Sequence, residues 1–154
     1  VQHYDKKHLF TFGGEHKRFT AGTERVVVNF RGVRILLEVC YDLRFPVWSR
    51  NLGDYDMILY VASWPTPRVD AWSALLRARA IENQCYVAGV NRMGTDPACE
   101  YSGGSAIIDP YGKTIAECPW SRESAVSAEI DMEALQAFRK KFPVLDDADP
   151  FTFI

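Results

Sequence analysis

A cysteine stands where a hydrophobic strand is expected to end and a polar turn to begin. Cys40 closes the apolar run that starts at Val33, and the turn Tyr41-Asp42-Leu43-Arg44-Phe45-Pro46 follows it directly. A side chain at such a strand-to-helix turn lies at the end of the sheet, near backbone N–H groups that lower a thiol pKa and can bind an oxyanion. Because free cysteine is usually buried, position alone favours a core residue over a nucleophile.

A nucleophilic cysteine also needs a base and an electrostatic partner. The candidates all lie within the first 16 residues: His3, Lys6, Lys7, His8, Glu15 and His16. A Cys–His pair therefore stays open, although His8 could equally be a hydrogen-bonded structural residue. Two adjacent lysines would normally be solvated, and a loop carboxylate such as Glu15 is usually a surface group. Residue type alone therefore identifies none of them as catalytic.

Length and charge restrict the class of protein. The chain has 154 residues, 47% of them hydrophobic, with 18 basic and 20 acidic side chains. These values suit one globular domain and exclude disordered, collagen-like and low-complexity proteins. A net charge of −2 gives no general reason to bind nucleic acid or an anionic membrane, and no apolar run is long enough to cross a bilayer.

The number and spacing of the cysteines bear on metal binding and on the cellular compartment. They stand at positions 40, 85, 99 and 118, so there is no C-x-x-C pair and we expect no structural zinc site. With no secretory signal at the start of the sequence, reduced thiols in a cytoplasmic protein are favoured over two disulfides.

Alternating strand and helix patterns must position these residues. We predict a hairpin of strands 25–30 and 33–40 turning at Arg31-Gly32, and two further hairpin strands around the turn 109–112. The remaining predictions are helices over 46–52, 69–84 and 131–141, strands over 55–62, 85–90, 105–108, 113–118 and 124–130, a surface loop over 91–104 and a tail from 142. The strand–helix–strand order is typical of an α/β fold with helices covering part of the sheet.

Several ordered motifs together resemble the nitrilase (carbon–nitrogen hydrolase) superfamily. They are Tyr4-x-Lys6-x-His8-Leu9-Phe10, Glu15 with Gly22, Cys40-Tyr41-Asp42-Leu43-Arg44-Phe45, Val61-Ala62-Ser63-Trp64-Pro65, the segment 77–84 and Asp109-Pro110-x-Gly112. Within the superfamily, these motifs are most similar to those of the omega-amidase branch, which acts on 2-oxoglutaramate and 2-oxosuccinamate. The resemblance implies the C-terminal portion of a four-layer αββα sandwich. It also implies a homodimer, for which 45–52 with Trp48 and the tail 151–154 could supply an interface.

The resemblance gives the candidate residues roles. Cys40 would attack the amide carbonyl and form a thioester, and Lys6 would share the oxyanion with the backbone N–H that follows Cys40. Lys7 is the rival by adjacency, but Lys6 has the family's offset from His8. Glu15 matches the family's second carboxylate, which helps to orient the site and its leaving group. Ammonia would leave and water would hydrolyse the thioester, without a metal or an organic cofactor.

Three further residues are candidates for binding a small-molecule amide. Tyr41 could offer its backbone N–H. Trp64 ends an apolar strand and could line a pocket, or could simply be a packing aromatic. Arg68 could bind the carboxylate of a dicarboxylate monoamide in bidentate fashion, although a solvated loop charge is the slightly favoured alternative.

One family residue has no counterpart here, because the general-base glutamate belongs upstream of Tyr4. The chain, taken as a single domain over 1–154, would then be a C-terminal fragment of an amidase, would receive the missing part from another polypeptide, or would be a non-catalytic interaction module. An N-carbamoyl hydrolase or an aliphatic amidase would use the same machinery and stays open.

Overall fold

The structure, a computed structural model, describes residues 2–152 and is built around one six-stranded mixed sheet. In chain order its strands and helices are β1 Val27–Phe30, β2 Val33–Val39, α1 Pro46–Ser49, β3 Met57–Ala62, α2 Val69–Glu82, β4 Tyr86–Asn91, β5 Met93–Thr95, β6 Glu100–Ser102, β7 Ala106–Ile108, β8 Thr114–Glu117 and α3 Met132–Lys141. The strand order in the large sheet is β1-β2-β3-β4-β7-β8, and β5 and β6 form a separate two-stranded hairpin. The predicted α/β fold class is confirmed.

Three parallel strands form the centre of the sheet. β2 pairs with β3 and β3 with β4 in parallel, while β1, β7 and β8 join in antiparallel pairs. The register places Val39 beside Val61 and Ala62 beside Asn91. Because parallel strands end at the same edge, the residues that follow β2, β3 and β4 meet there, as binding residues commonly do in α/β proteins.

Helix α2 covers one face of this sheet. Its apolar residues recur at helical spacing, and the buried core they share with the strands is contiguous. Gly89 on β4 allows the close approach, since a Cβ there would lie 2.5 Å from Leu76 Cδ1 and 2.8 Å from the Trp72 ring. The core residues between α2 and the central strands include Leu36, Ile58, Tyr60, Trp72, Leu76 and Val87.

The opposite face of the central strands is apolar and only partly buried. Ile35 and Leu37 of β2 and Leu59 of β3 are partly exposed, while Val61 and Val90 are about half exposed, at 47% and 50%. Strands buried on both faces are expected for a parallel sheet. Within residues 2–152, the sheet face that packs against α2 is therefore well buried, and the opposite face is not.

Two predicted elements are wrong. The strand over 124–130 is absent, and this mostly exposed segment has irregular structure. Its small and charged side chains offer little apolar surface to bury against the sheet, so tertiary packing outweighs local propensity. The segment 91–104 is no simple loop, because the β5–β6 hairpin lies within it.

The other boundaries shift by a few residues. The predicted helix over 46–52 ends at Ser49, and a 3-10 turn over Val144–Asp147 lies in the predicted tail, of which residues 153 and 154 lie outside the described part. Within residues 2–152, no helix combines the length and the apolar character that crossing a membrane requires.

Candidate active site

Cys40 lies in an unusual backbone conformation at the carboxyl edge of the sheet. It follows β2 directly and opens a 3-10 turn over Cys40–Arg44, and its φ of +50° is in the left-handed region. A non-glycine residue there carries strain that the surrounding structure must hold, and such residues cluster at functional sites. The turn brings Cys40 Sγ 4.0 Å from the carbonyl oxygen of Ser63, which follows β3.

A cavity of about 770 Å³ opens above this edge. Apolar side chains, among them Phe10, Phe19 and Val61, form much of its lining, and its polar or reactive lining residues are Tyr4, Asp5, Lys6, Glu15, Thr20, Cys40, Ser63, Arg68, Cys99 and Tyr101. A largely apolar cavity with a few convergent polar groups is typical of a small-molecule site.

Lys6 and Glu15 form an ion pair inside this cavity. Lys6 Nζ lies 2.7 and 3.0 Å from the two oxygens of Glu15, and the Phe10 backbone N–H donates to the same carboxylate at 2.8 Å. The pair is shielded, since the two side chains are 13% and 32% exposed. Burial raises the pKa of the Glu15 carboxyl, but these hydrogen bonds and the lysine charge outweigh it and hold the pKa below its usual range.

Gly22 holds the segment that carries Lys6. Its N–H donates to the Lys6 carbonyl oxygen at 2.9 Å. A Cβ at position 22 would lie 2.1 Å from the Asp5 carbonyl oxygen, so only glycine permits this contact without displacement. The absence of a side chain at Gly22 thus allows the chain to pack against the backbone of Asp5 and Lys6.

The thiol of Cys40 is not acidified, contrary to the expectation from its turn. Burial raises the pKa of Cys40, and the nearby Lys6 charge opposes that rise without reversing it. Desolvation of the thiolate outweighs the polar groups at the turn. A nucleophile here needs a base that removes its proton.

The histidines lie away from the cavity lining. His8 Nδ1 lies 2.9 Å from Asp42 Oδ1, and its ring stacks on Phe45 with centroids 3.8 Å apart. His3 lies 3.8 Å from an Asp5 carboxylate oxygen, and His16 is exposed. The structure therefore gives no support to a Cys–His pair.

Lys7, the rival of Lys6, points elsewhere. Its Nζ lies 5.2 Å from the centroid of the Trp48 ring, and it is not among the residues lining the cavity. Trp48 itself is only 3% exposed, so its side chain packs within this chain and does not project from the segment 45–52. Its indole N–H donates to the Tyr4 hydroxyl at 3.0 Å, which explains why it packs inward.

The three candidate binding residues lie near Cys40 but differ in access. Arg68 lines the main cavity, with its guanidinium 5.6 Å from the Phe10 ring centroid. Tyr41 and Trp64 line a smaller adjoining recess. Trp64 is buried against Trp72 and donates to the Arg68 carbonyl oxygen, so its side chain also organises the loop that carries Arg68.

Sequence reasoning missed part of the cavity. Tyr101 and Cys99 come from the unpredicted β5–β6 hairpin, and Ser63 contributes a backbone carbonyl that side-chain patterns do not reveal. Asn91 was missed as well, although a polar residue ending a buried strand could have been noticed. Its amide bonds both backbone polar groups of Trp64 and the Gly103 carbonyl, fixing the cavity wall.

Among residues 2–152, no three His, Cys, Asp or Glu side chains gather closely enough to hold a metal ion. Within the cavity the structure brings together a thiol and a lysine–carboxylate pair.

Comparison with known proteins identifies the family. The carbon-nitrogen hydrolase profile matches residues 1–140. The omega-amidase YafV of Escherichia coli K12 is 56% identical over 152 residues, covering 98% of this chain and 59% of its own length. The 2-oxoglutaramate amidase of Bacillus subtilis is 42% identical over 149 residues, covering 96% of this chain and 57% of its own.

A solved structure agrees with these relatives. XC1258 from Xanthomonas campestris, a CN-hydrolase superfamily protein with an arsenic adduct in its active site, is 48% identical with a TM-score of 0.95, covering 99% of this chain and 60% of its own. This chain thus spans about three-fifths of the length of these relatives. On its motifs, its fold and these similarities, the chain belongs to the carbon-nitrogen hydrolase family of the nitrilase superfamily.

Proposed function

We propose that this protein hydrolyses the amide of a small carboxylic acid through a thioester on Cys40. One observation carries the proposal: Cys40, in its left-handed conformation, lines the same cavity as the shielded Lys6–Glu15 pair. The amidase names of the relatives support the same reaction class.

Each group has a defined task in this reaction. The Cys40 sulfur attacks the amide carbonyl carbon, and negative charge develops on the carbonyl oxygen. Lys6 stabilises that charge, with the backbone N–H of Tyr41 as a second donor, and such fixed donors act most strongly when charge appears in the transition state. The tetrahedral intermediate collapses as the amide nitrogen takes up the proton that left the thiol and departs as ammonia, and water then hydrolyses the thioester to the acid and the free thiol. Glu15 holds Lys6 in place throughout.

The proton on Cys40 must be taken by a base. The raised pKa of this thiol means that attack is coupled to deprotonation, and a general base contributes about two to four orders of magnitude. The resemblance assigns that role to a glutamate upstream of Tyr4. We propose that the intact protein supplies it from outside these 154 residues, which form one part of a carbon–nitrogen hydrolase domain.

The position of Arg68 favours a substrate that carries a carboxylate. It lines the cavity, and within residues 2–152 it makes no ion pair with an acidic side chain, whereas Lys6 is already paired with Glu15. A guanidinium binds a carboxylate through two parallel hydrogen bonds. The ω-amide of a 2-oxo dicarboxylic acid, 2-oxoglutaramate or 2-oxosuccinamate, presents a carboxylate at one end and the scissile amide at the other.

The partly exposed sheet face bears on the intact assembly. We propose that a second sheet covers the face containing Leu37, Leu59 and Val61, giving the four-layer αββα arrangement, and that the protein forms a homodimer. Exposed apolar surface of this extent usually marks a contact in the complete protein.

A substrate panel on the intact protein tests the function. We expect ammonia release from 2-oxoglutaramate to exceed that from butyramide or an N-carbamoyl amino acid. In Arg68→Leu, kcat/KM for 2-oxoglutaramate should fall about 10- to 100-fold, as losing a hydrogen-bonded charge pair would give, with little change for butyramide. Arg77→Leu, at an exposed position on α2, is the matched control.

The alternatives give different results. An equal loss on both amides in Arg68→Leu would contradict the carboxylate assignment. Preference for the carbamoyl compound or for butyramide would favour the N-carbamoyl hydrolase or the aliphatic amidase. No ammonia from any compound would favour the non-catalytic module.

A further inference from the structure

A fully buried carboxylate, Asp42, follows the candidate nucleophile by two residues. Asp42 is 0% exposed, and its carboxylate makes four hydrogen-bond contacts. Its Oδ2 accepts from the Tyr4 hydroxyl at 2.9 Å and the Val39 N–H at 3.1 Å. Its Oδ1 accepts from the His8 N–H at 2.8 Å and lies 2.9 Å from His8 Nδ1. Each oxygen of the carboxylate therefore has two hydrogen-bond partners within the protein.

These donors come from two segments far apart in the sequence. Tyr4 and His8 flank Lys6 by two residues on either side, and Val39 immediately precedes Cys40. The bonds from Tyr4 and His8 span 38 and 34 residues. One side chain thus ties the segment carrying the cation to the turn carrying the thiol.

The surroundings make this connection stiff. The Tyr4 hydroxyl also accepts from the Lys7 N–H at 3.1 Å and the Trp48 indole N–H at 3.0 Å. The His8 ring stacks on Phe45, which ends the turn after Cys40. A buried network whose members are satisfied in this way rigidifies its neighbourhood.

We propose that Asp42 is a positioning residue that fixes the Lys6 ammonium relative to the Cys40 sulfur. The inference rests on the proposed function, because it takes Cys40 as the nucleophile and Lys6 as the cation that acts on it. Asp42 itself is fully buried and does not line the cavity, so it acts through the two segments that it joins.

Two effects of Asp42 on the thiol have opposite signs, which makes the inference testable. The Asp42 charge acts directly on Cys40 and raises its pKa, whereas the Lys6 charge lowers it. If charge alone mattered, removing the carboxylate would make the thiol more reactive. If Asp42 positions Lys6, removing it moves the cation away and makes the thiol less reactive.

Asp42→Asn separates the two effects. An amide keeps the shape but has one accepting oxygen, so its NH₂ group faces donors and two of the four bonds are lost. The test is the rate of iodoacetamide alkylation of Cys40 in the intact protein at one pH near neutrality, read by peptide mass. We expect Asp42→Asn to slow alkylation about three- to tenfold, since thiol reactivity follows the thiolate fraction. Lys6→Met alone should slow it at least as much.

The decisive comparison is between Lys6→Met and the double variant Lys6→Met/Asp42→Asn. In the Lys6→Met background, Asp42→Asn should no longer slow alkylation and should leave it unchanged or faster. Asp56→Asn is the matched control, because Asp56 is 2% exposed and ion-paired with Arg34 and Arg139 at the other end of the sheet. It should lower stability and leave the Cys40 rate unchanged.

Three outcomes would overturn the inference: faster alkylation in Asp42→Asn, the same slowing with and without Lys6, or equal slowing in Asp56→Asn. If Asp42→Asn does not fold, Tyr4→Phe removes one donor, and its smaller slowing should likewise vanish in Lys6→Met. If Lys6→Met leaves the Cys40 rate unchanged, the proposed role of Lys6 fails as well. If Lys6→Met slows the rate but Asp42→Asn does not, only the positioning inference fails.

Discussion

A single methyl group added at Gly22 should slow catalysis strongly without changing any side chain of the site. The Gly22 backbone packs against the segment that carries Lys6, donating its N–H to the Lys6 carbonyl oxygen at 2.9 Å. In Gly22→Ala, the new Cβ would lie 2.1 Å from the Asp5 carbonyl oxygen and 2.8 Å from its carbonyl carbon. Both contacts are to backbone, which cannot rotate aside as a side chain can.

The size of the effect follows from these distances. Ordinary van der Waals contact of a Cβ begins near 3.4 Å, so the Asp5–Lys6 backbone must recede by roughly 1 Å, and a misplacement of this size costs about 100-fold in rate. Overpacking of this kind destabilises by about 1–3 kcal/mol. We therefore expect kcat for ammonia release to fall about 100-fold while the protein stays folded.

The assay needs a glycine variant with a comparable stability cost but no contact with the site. Gly32 turns the β1–β2 hairpin at a φ of +84° with no atom within 4 Å of its Cβ position. Gly32→Ala should lose about 1–2 kcal/mol through backbone strain alone and keep its kcat. Wild-type kcat in a folded Gly22→Ala, or an equal loss of kcat in both variants, would show that Gly22 does not position Lys6.

Four other substitutions have effects whose directions are set by charge and burial. Burial raises the pKa of Glu38 to about 7, so its stabilising contribution is full below about pH 4.5 and is lost as pH rises through 7; Glu38→Gln should raise the urea midpoint at pH 8 and change it less at pH 5. The lowered pKa of Glu15 means that its contribution is present above about pH 4.5 and lost as pH falls further, so Glu15→Gln should flatten the acid limb of the stability curve, and an unchanged limb would contradict the ion pair. Lys6→Met should lower kcat for ammonia release at least 100-fold, whereas Lys7→Met, whose ammonium lies over Trp48, should change it less than threefold.

The elements whose burial follows their own sequence pattern were predictable. The apolar runs before Cys40 and before Ser63 are strands β2 and β3, and the helical spacing of Trp72 and Leu76 marks α2. In each case local pattern and tertiary burial agree, so the carboxyl edge and the cysteine on it could be located from the sequence.

The arrangement of the site depends on contacts that local pattern does not encode. The Lys6–Glu15 pair was placed by resemblance, and its geometry arises because Gly22 and Asp42 hold the N-terminal segment against the sheet. The raised pKa of Cys40 also escaped prediction, because burial by distant segments outweighs the groups at the turn. The β5–β6 hairpin was missed since three-residue polar strands have no readable period.

Ammonia release from 2-oxoglutaramate by the intact protein, compared between wild type and Cys40→Ala, tests the central claim most directly. Cys99→Ala is the control, because Cys99 lines the same cavity. We expect wild type and Cys99→Ala to release ammonia and Cys40→Ala to release none. Release undiminished in Cys40→Ala would contradict the assignment of Cys40 as the nucleophile, and no release from wild type would contradict the proposed substrate.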